Sequence, residues 1–563
     1  MAALPFLLAA LLGCTPAPIV IDPAPKEIDT EAQEEEDFSD LVYDLEHLLA
    51  VEIELAPDDW DALRHESRGA DILVGEDCQE EPYGSPYTWF EGTVTLDGEV
   101  FPGVGVRKKA FLGSQSTTKP GLKLDFEEFG GSDDFYSVDR FTLNNAVSDP
   151  AYVRQCIAYG FFADAGVPAS RCSFARVSVN GEDLGLYVNV EPIKKPLLER
   201  HFGDDSGNLY EGTLSDFREG WTGTFEKKTN ESEDDWSDIE ALTEALTVGD
   251  DELLAALEPL VDLDAFYSFW ASEVLLVHTD GYGWNTNNYY LYADPTDGRF
   301  HFLPWGTDAV LYATGMETDS VFAYSELTNR LYSHTEGRAA YLARLQQLLD
   351  EVWDEAVLAE RVELMRSVLI EELDVSDALL TEAAIDDVWT ILEARRADVG
   401  AELARGGMSW PYGQRDSFCI QDVGDLEASF TTTWGSLTTQ DAFTYGTGST
   451  SFTYDGQSYL VSDMGSVVGT AHGESVLYVA GWLTDTVAVL VYMTAPEESF
   501  APGTIELDLD DAVGALFYYD AETMSEFAFL AYVVGEATLQ AAGTTSGDPV
   551  IGSIEGTLMQ WGA

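Results

Sequence analysis

The chain has 563 residues, 45% of them hydrophobic and 12% aromatic, which is ample for a large core and too ring-rich for a disordered polymer. Its 28 Lys and Arg against 102 Asp and Glu leave a formal charge of −74, a surface that repels nucleic acid and anionic lipid headgroups. A chain this long is expected to divide into about two to four domains.

The N-terminus reads MAALPFLLAALLGCTPAP. Its apolar run is too short to span a bilayer as a mature helix but suits a signal-peptide core. The end of the run, Leu11-Leu12-Gly13-Cys14, resembles a bacterial lipobox, in which the Cys becomes the lipidated first residue. An ordinary secretory signal with a chance Cys is the alternative, and the absence of Lys or Arg before the run departs from the usual pattern. Residues 15–40 are rich in Pro, Glu and Asp and read as a self-repelling tether. The expected setting is the extracytoplasmic side of the bacterial cell envelope, with the bilayer touched only through lipid on Cys14. Cys78, Cys156, Cys172 and Cys419 remain, and an even number in an exported chain permits two disulfides. A short connection joins Cys156, in a helical run, to Cys172, at the start of a strand. That favours this pair and leaves Cys78 with Cys419; four free buried thiols are the alternative.

From residue 41 the pattern is mixed. LLAVEIELAPDDWDALRHE reads as a strand and an Asp-capped helix. Alternating residues around Asp97-Gly98 and around Asn180-Gly181 predict two hairpins. Between them, SDPAYVRQCIAYGFFADAG predicts a helix capped by Ser148 or Asp149, with Pro150 in its first turn and Gly166 beyond its end. Helical periodicity dominates 236–277 and 338–405, so a strand-rich half precedes a helical half across 41–408. Beyond a boundary near 408, residues 425–563 are rich in Thr, Ser, Gly and aromatics, lack Lys and Arg, and alternate in short runs. They predict a separately folding all-β sandwich or barrel.

The polar loop HTDGYGWNTNNYYLY, from His278 to Tyr292, separates a long apolar helix from a strand-like run. Phosphoryl transfer needs a carboxylate at the acceptor hydroxyl, a carboxylate and an amide on the metal, and cations on the phosphates. His278-Thr279-Asp280 followed by Asn285 copies the HxDxxxxN spacing of a kinase catalytic loop. Asp308 follows an apolar strand 28 residues later, where a metal-binding acid is wanted. Upstream, Arg107, Lys119 and Lys123 form a basic cluster, unusual in so acidic a chain. Lys123 lies between Leu122 and Leu124 and faces opposite to them.

Several blocks in one order, GVRKKAFLGS with KPGLKLDF, LNNAVSDPAYVRQCIAYGFFADAGVPASR, VNGEDLGLYVNVEPI with FGDDSGNLYEG, and TDGYGWNTNNYYLYADPTDGRFHFLPWGTD, resemble the CotH spore-coat kinases over roughly 45–400. The resemblance implies an α+β chain: an atypical bilobal protein-kinase-like fold, here followed by the all-β unit. It implies ATP with Mg²⁺ or Mn²⁺, and phosphorylation of Ser or Thr in exported proteins. By position it implies Asp280 as the catalytic carboxylate and Asp308 as the metal-binding one. Asn288 matches the family's asparagine, while Asn285 fits the general kinase spacing. Lys123 is implied at the phosphates, with Lys119 and Arg107 secondary and Glu191 at the nucleotide edge. Two residues depart from the family: Gly306 stands where many members carry the first acid of PWDxD, and Ala110 where Gly is frequent. A non-catalytic surface scaffold that keeps a degenerate kinase-like fold is the competing expectation.

Overall fold

The computed structural model describes residues 37–561 except 76, 132–133, 317, 472, 509–511 and 525–526. Cys14 and most of the acidic tether lie outside the described residues, and no described helix is long and apolar enough to cross a membrane.

Seven strands close into a barrel: β1 (Leu48–Glu54), β2 (Phe90–Leu96), β3 (Glu99–Lys108), β4 (Leu122–Asp125), β5 (Arg140–Asn144), β6 (Cys172–Val179) and β7 (Glu182–Val190). Alternation sends Leu49, Val51 and Ile53 of β1 inward against Val94, Val106, Leu124 and Phe141. The two hairpins turn as their sequences demand, with φ 48° and 86° at Asp97-Gly98 and 53° and 81° at Asn180-Gly181. β1 pairs in parallel with β6, 119 residues downstream between Ile53 and Cys172, and this pairing closes the ring.

The helix α1 (Pro57–His65) starts on Pro57, not on an Asp cap; Asp58 and Asp59 occupy its first turn instead. Likewise α2 begins at Arg154 and ends at Asp164, with no side-chain cap. Asp149 is buried and accepts from the Ala151 and Arg154 amides while pairing with the Arg154 guanidinium at 2.5 Å. It thus organises the turn before the helix. A disulfide joins Cys156 on α2 to Cys172 at the head of β6.

After β7 come α3 (Lys195–Phe202), β8 (Asn208–Gly212), β9 (Glu226–Lys227), α4 (Ser237–Ala245), α5 (Asp250–Leu257) and α6 (Leu263–Leu275). The short α7 (Tyr282–Asn285) precedes β10 (Tyr289–Asp294) and β11 (Arg299–Pro304), and these two strands join β8 and β9 in a sheet ordered β11-β10-β8-β9. Four helices, α8 (Glu326–Ser333), α9 (Thr335–Glu351), α10 (Glu355–Ile370) and α11 (Val375–Leu403), pack around α6 and α2 in the largest apolar cluster. Trp270 of α6 is fully buried, stacks on Tyr341 at 3.7 Å and donates its indole N–H to the Phe322 carbonyl at 2.7 Å.

Among the described residues of 420–561 the strands pair antiparallel and the one helical piece is a short 3₁₀ turn: β12 (Ile420–Thr433), β13 (Thr447–Tyr454), β14 (Gln457–Ala471), β15 (Glu474–Trp482), β16 (Val487–Pro496), β17 (Gly503–Leu507), β18 (Val513–Asp520), β19 (Ala528–Ala542) and β20 (Pro549–Trp561). β19 pairs with β20, and β20 with β12, so the meander closes on itself with β17 added along β19. Its interior is filled by Leu426, Phe430, Leu477, Val491, Val533 and their neighbours. A smaller cluster, with Leu73, Phe418, Ile420 and Met559, bridges this sheet to the loop between α1 and β2, and a disulfide joins Cys78 of that loop to Cys419.

Candidate active site

A cleft of about 400 Å³ runs between the barrel and the β8–β11 sheet. One wall comes from β3, β4 and β5. Lys123 leaves β4 opposite Arg107 of β3, while Leu122 and Leu124 point into the barrel core. Lys109, two residues past Arg107 on the same face, also lines the cleft; it donates to Asn144 Oδ1 at 2.6 Å and lies over the Trp305 ring at 5.5 Å. Lys108, on the other face, spends its ammonium on the carbonyls of Arg64 and Glu66. Arg107 stacks on Trp89 at 4.4 Å. Across the cleft, Lys228 bridges Glu211 of β8 at 2.7 Å and Glu226 of β9 at 2.8 Å.

The Lys123 ammonium has no hydrogen bond or ion pair among the described residues. Burial pushes its ammonium down to about 7; Glu211 opposes that shift, and the neighbouring Lys109, Arg107 and Lys228 add to it. Glu211 is held below the usual carboxylate range, chiefly by Lys228 and Lys123 working against its burial.

The acids come from the loops on either side of β10 and β11. Asp280 Oδ1 accepts from the side-chain amides of Asn285 at 2.6 Å and Asn287 at 3.2 Å, and Oδ2 from that of Asn288 at 2.6 Å. The Thr279 amide donates to the Ala309 carbonyl, which ties this loop to the one carrying Asp308. Burial raises Asp308 to about 6, with the attraction of Lys109 opposing and the nearby Asp280 carboxylate reinforcing the rise. Gly306 sits at φ +51°, and a Cβ there would meet Asn288 Oδ1 at 2.3 Å. The space an acid would need at 306 is taken by the Asn288 amide.

The cleft therefore brings together Asp280, Asp308, Asn288, Lys123 and Arg107 of the residues expected from the sequence. Three others are elsewhere. Asn285 is outside the cleft lining and serves to orient Asp280. Lys119 donates to the Tyr152 hydroxyl at 3.2 Å and lies over the Tyr152 and Tyr187 rings, so its charge is spent on aromatic faces. Glu191 is 4% exposed and clamped by Arg171 and Arg200, away from the cleft. In their place the structure adds Lys109, Lys228, Glu211 and Asn287. The same-face spacing from Arg107 to Lys109 and the position of Asn287 within the polar 278–292 loop are the sequence signals that point to two of them.

Residues 110–389 match the family described as CotH kinase protein. Inner spore coat protein H of Bacillus subtilis (strain 168) is 27% identical over 38% of this chain and 62% of its own length. Invasin CotH3 of Rhizopus delemar is 22% identical over 46% of this chain and 48% of its own. The inner spore coat protein H-like protein of Bacillus subtilis is 25% identical over 37% of this chain and 60% of its own. The chain thus spans roughly half to three-fifths of these relatives. Among solved structures, the Helicobacter pylori proinflammatory kinase CtkA aligns over 51% of this chain and 94% of its own, at 11% identity and a TM-score of 0.24, too low to carry an argument. The ordered sequence blocks and the match over 110–389 identify that stretch as a CotH kinase protein domain.

Proposed function

We propose that the cleft binds ATP with a divalent metal and directs phosphate to Ser or Thr hydroxyls of exported proteins, the barrel and the helical half serving as two kinase-like lobes. The observation that carries this reading is an ammonium without a partner, Lys123, facing a crowded pair of carboxylates across one cleft. Phosphates fit the first, and a divalent cation relieves the second. When bound, ATP and Mg²⁺ or Mn²⁺ supply the transferable group and neutralise its charge.

Lys123, Lys109 and Arg107 would hold phosphate oxygens; among the described residues neither the Lys123 ammonium nor the Arg107 guanidinium, which lies over the Trp89 ring, gives up a hydrogen bond or ion pair to do so. Asp308, with Asn288 beside it, is placed to hold the metal; since Gly306 offers no acid, Asp308 carries that load. A carboxylate has about four acceptor positions. Three on Asp280 are filled by asparagine amides, which leaves Oδ2 one position for an acceptor hydroxyl. The amides fix its orientation, and Asp280 takes the hydroxyl proton from there.

The test is incubation of the purified chain with labelled ATP and Mg²⁺ or Mn²⁺, following transfer to itself and to added protein acceptors. The absence of an acid at 306 favours a second reading, a surface scaffold, and ATP binding without any transfer selects it. The lipobox-like Leu11–Cys14 supports export and anchoring through lipid on Cys14. A Cys14→Ala chain is expected to leave the membrane fraction; if it remains after a high-salt wash, anchoring is by other means.

A further inference from the structure

Beneath the loop that carries Asp280 lies a buried carboxylate on a largely apolar helix. Glu273 of α6 is 1% exposed. Its Oε1 accepts from the Tyr282 amide at 2.7 Å and its Oε2 from the Gly283 amide at 2.9 Å. These are the first two amides of α7, donors that the helix itself leaves unsatisfied. The same residue holds the loop by its main chain, since its carbonyl accepts from the His278 amide at 2.8 Å. His278 is fully buried, neither ring nitrogen has a hydrogen bond, and Nδ1 lies 3.5 Å from Glu273 Oε1.

Asp280 is thus strung between two points fixed on one residue, His278 on the Glu273 carbonyl before it and Tyr282 on the Glu273 carboxylate after it. The fit is close. A Cβ on Gly281 would fall 2.1 Å from Glu273 Oε1 and 2.4 Å from His278 Nδ1, and one on Gly283 would fall 3.1 Å from Glu273 Oε2. The φ of Gly281 is −89°, open to any residue, so contact with the carboxylate is what demands glycine there.

We propose that Glu273 is a positioning residue: it braces the 278–288 loop from below and fixes where Asp280 meets the cleft. Two oxygens are needed because two amides converge on it. Glutamine offers one acceptor and turns its own NH₂ toward the second amide, so Glu273→Gln keeps the size and breaks half of the brace. Any effect on rate presupposes the phosphotransfer reading above; the effect on loop order does not.

The experiment uses the full chain and the variants Glu273→Gln, Gly281→Ala, and Gly281→Ala combined with Glu273→Asp. Steady-state transfer from ATP is measured beside amide hydrogen exchange of segment 278–288. Glu273→Gln is expected to lower kcat roughly 10- to 100-fold with KM for ATP within about twofold, and to speed exchange at Tyr282 and Gly283. Gly281→Ala should reproduce both effects, and the shorter Asp at 273 should partly restore the double variant, a non-additivity that general loss of packing does not give. Exchange unchanged in Glu273→Gln overturns the brace. So does a kcat within twofold of the parent, provided the parent transfers phosphate. Should Glu273→Gln fail to fold, Gly281→Ala, which leaves the carboxylate in place, decides by the same readouts. A parent that transfers nothing removes the kinase reading alone, and the exchange rates still test the brace.

Discussion

Two acids, Asp280 and Asp308, stand at one side of the cleft, and under the proposed function their removal should separate. Asp308→Asn keeps the size but removes the charge placed for the metal. Metal-dependent ATP binding should fall sharply, as read by calorimetry with and without Mg²⁺. Asp280→Asn should bind ATP like the parent and transfer roughly 10²-fold more slowly. Lys123 gives a pH signature, because its folded-state value of about 7 lies below that of a free lysine. Below that value it is charged and attracts phosphate. As pH rises from 6 to 8 the charge is lost, so metal-free nucleotide binding should weaken across that window more steeply in the parent than in Lys123→Met. Stability runs the other way. Between about pH 7 and 10 the unfolded chain holds a proton at Lys123 that the folded chain does not, so this residue makes folding more favourable as pH rises, and Lys123→Met removes that slope. Asp280, Asp308 and Lys123 were legible because motif spacing and strand alternation act within a short stretch. Lys228 and Glu211 were not, since they reach the cleft from strands that neighbour the motif only through the β8–β10 pairing. Lys119 and Glu191 look like site residues in the sequence because nothing local reveals the tyrosine rings or the two arginines that occupy them.

Hairpins read most clearly among the elements. Asp97-Gly98 and Asn180-Gly181 carry the only residue types that adopt two successive positive φ angles cheaply, so the turn is written locally. Helix starts read poorly. Asp149 has the right chemistry for a cap, yet Arg154 draws its carboxylate into a buried pair and the helix begins later. Closure of the barrel left no trace at all, because the parallel β1–β6 pairing joins segments with several elements between them. Two element-level outcomes follow from contacts described above. Gly306→Asp restores the acid common in the family but must displace Asn288 and with it one of the three amides on Asp280. Transfer should fall rather than rise, and crystallography of the variant should find Asn288 turned. Trp270→Ala opens a void at the centre of the helical cluster and orphans the Phe322 carbonyl. It should cost about 3–5 kcal/mol by chemical denaturation, without altering residues of the cleft.

At the scale of the whole molecule, the C-terminal sheet adds no side chain to the cleft lining but is bolted to one of its walls. The loop between α1 and β2 sends Arg68, Tyr83 and Tyr87 to the cleft, and the same loop is bonded through Cys78 to Cys419 and through the Gly75 amide to the Ile420 carbonyl. Composition predicts a separately folding unit and has no means of displaying this mechanical tie. Cys78→Ser should lower stability by roughly 2–5 kcal/mol and loosen that loop, seen as faster proteolysis between 66 and 89 with the sheet itself intact. The bond also spans 341 residues of sequence. A ribosome, and any export channel that passes the chain from its N-terminus, delivers Cys78, Cys156 and Cys172 long before Cys419. The near pair can oxidise as soon as it emerges, whereas Cys78 waits as a lone thiol for the 341 residues that separate it from Cys419. Its partner arrives only at the head of the last sheet, so the cleft wall is tied down only in chains made past residue 419.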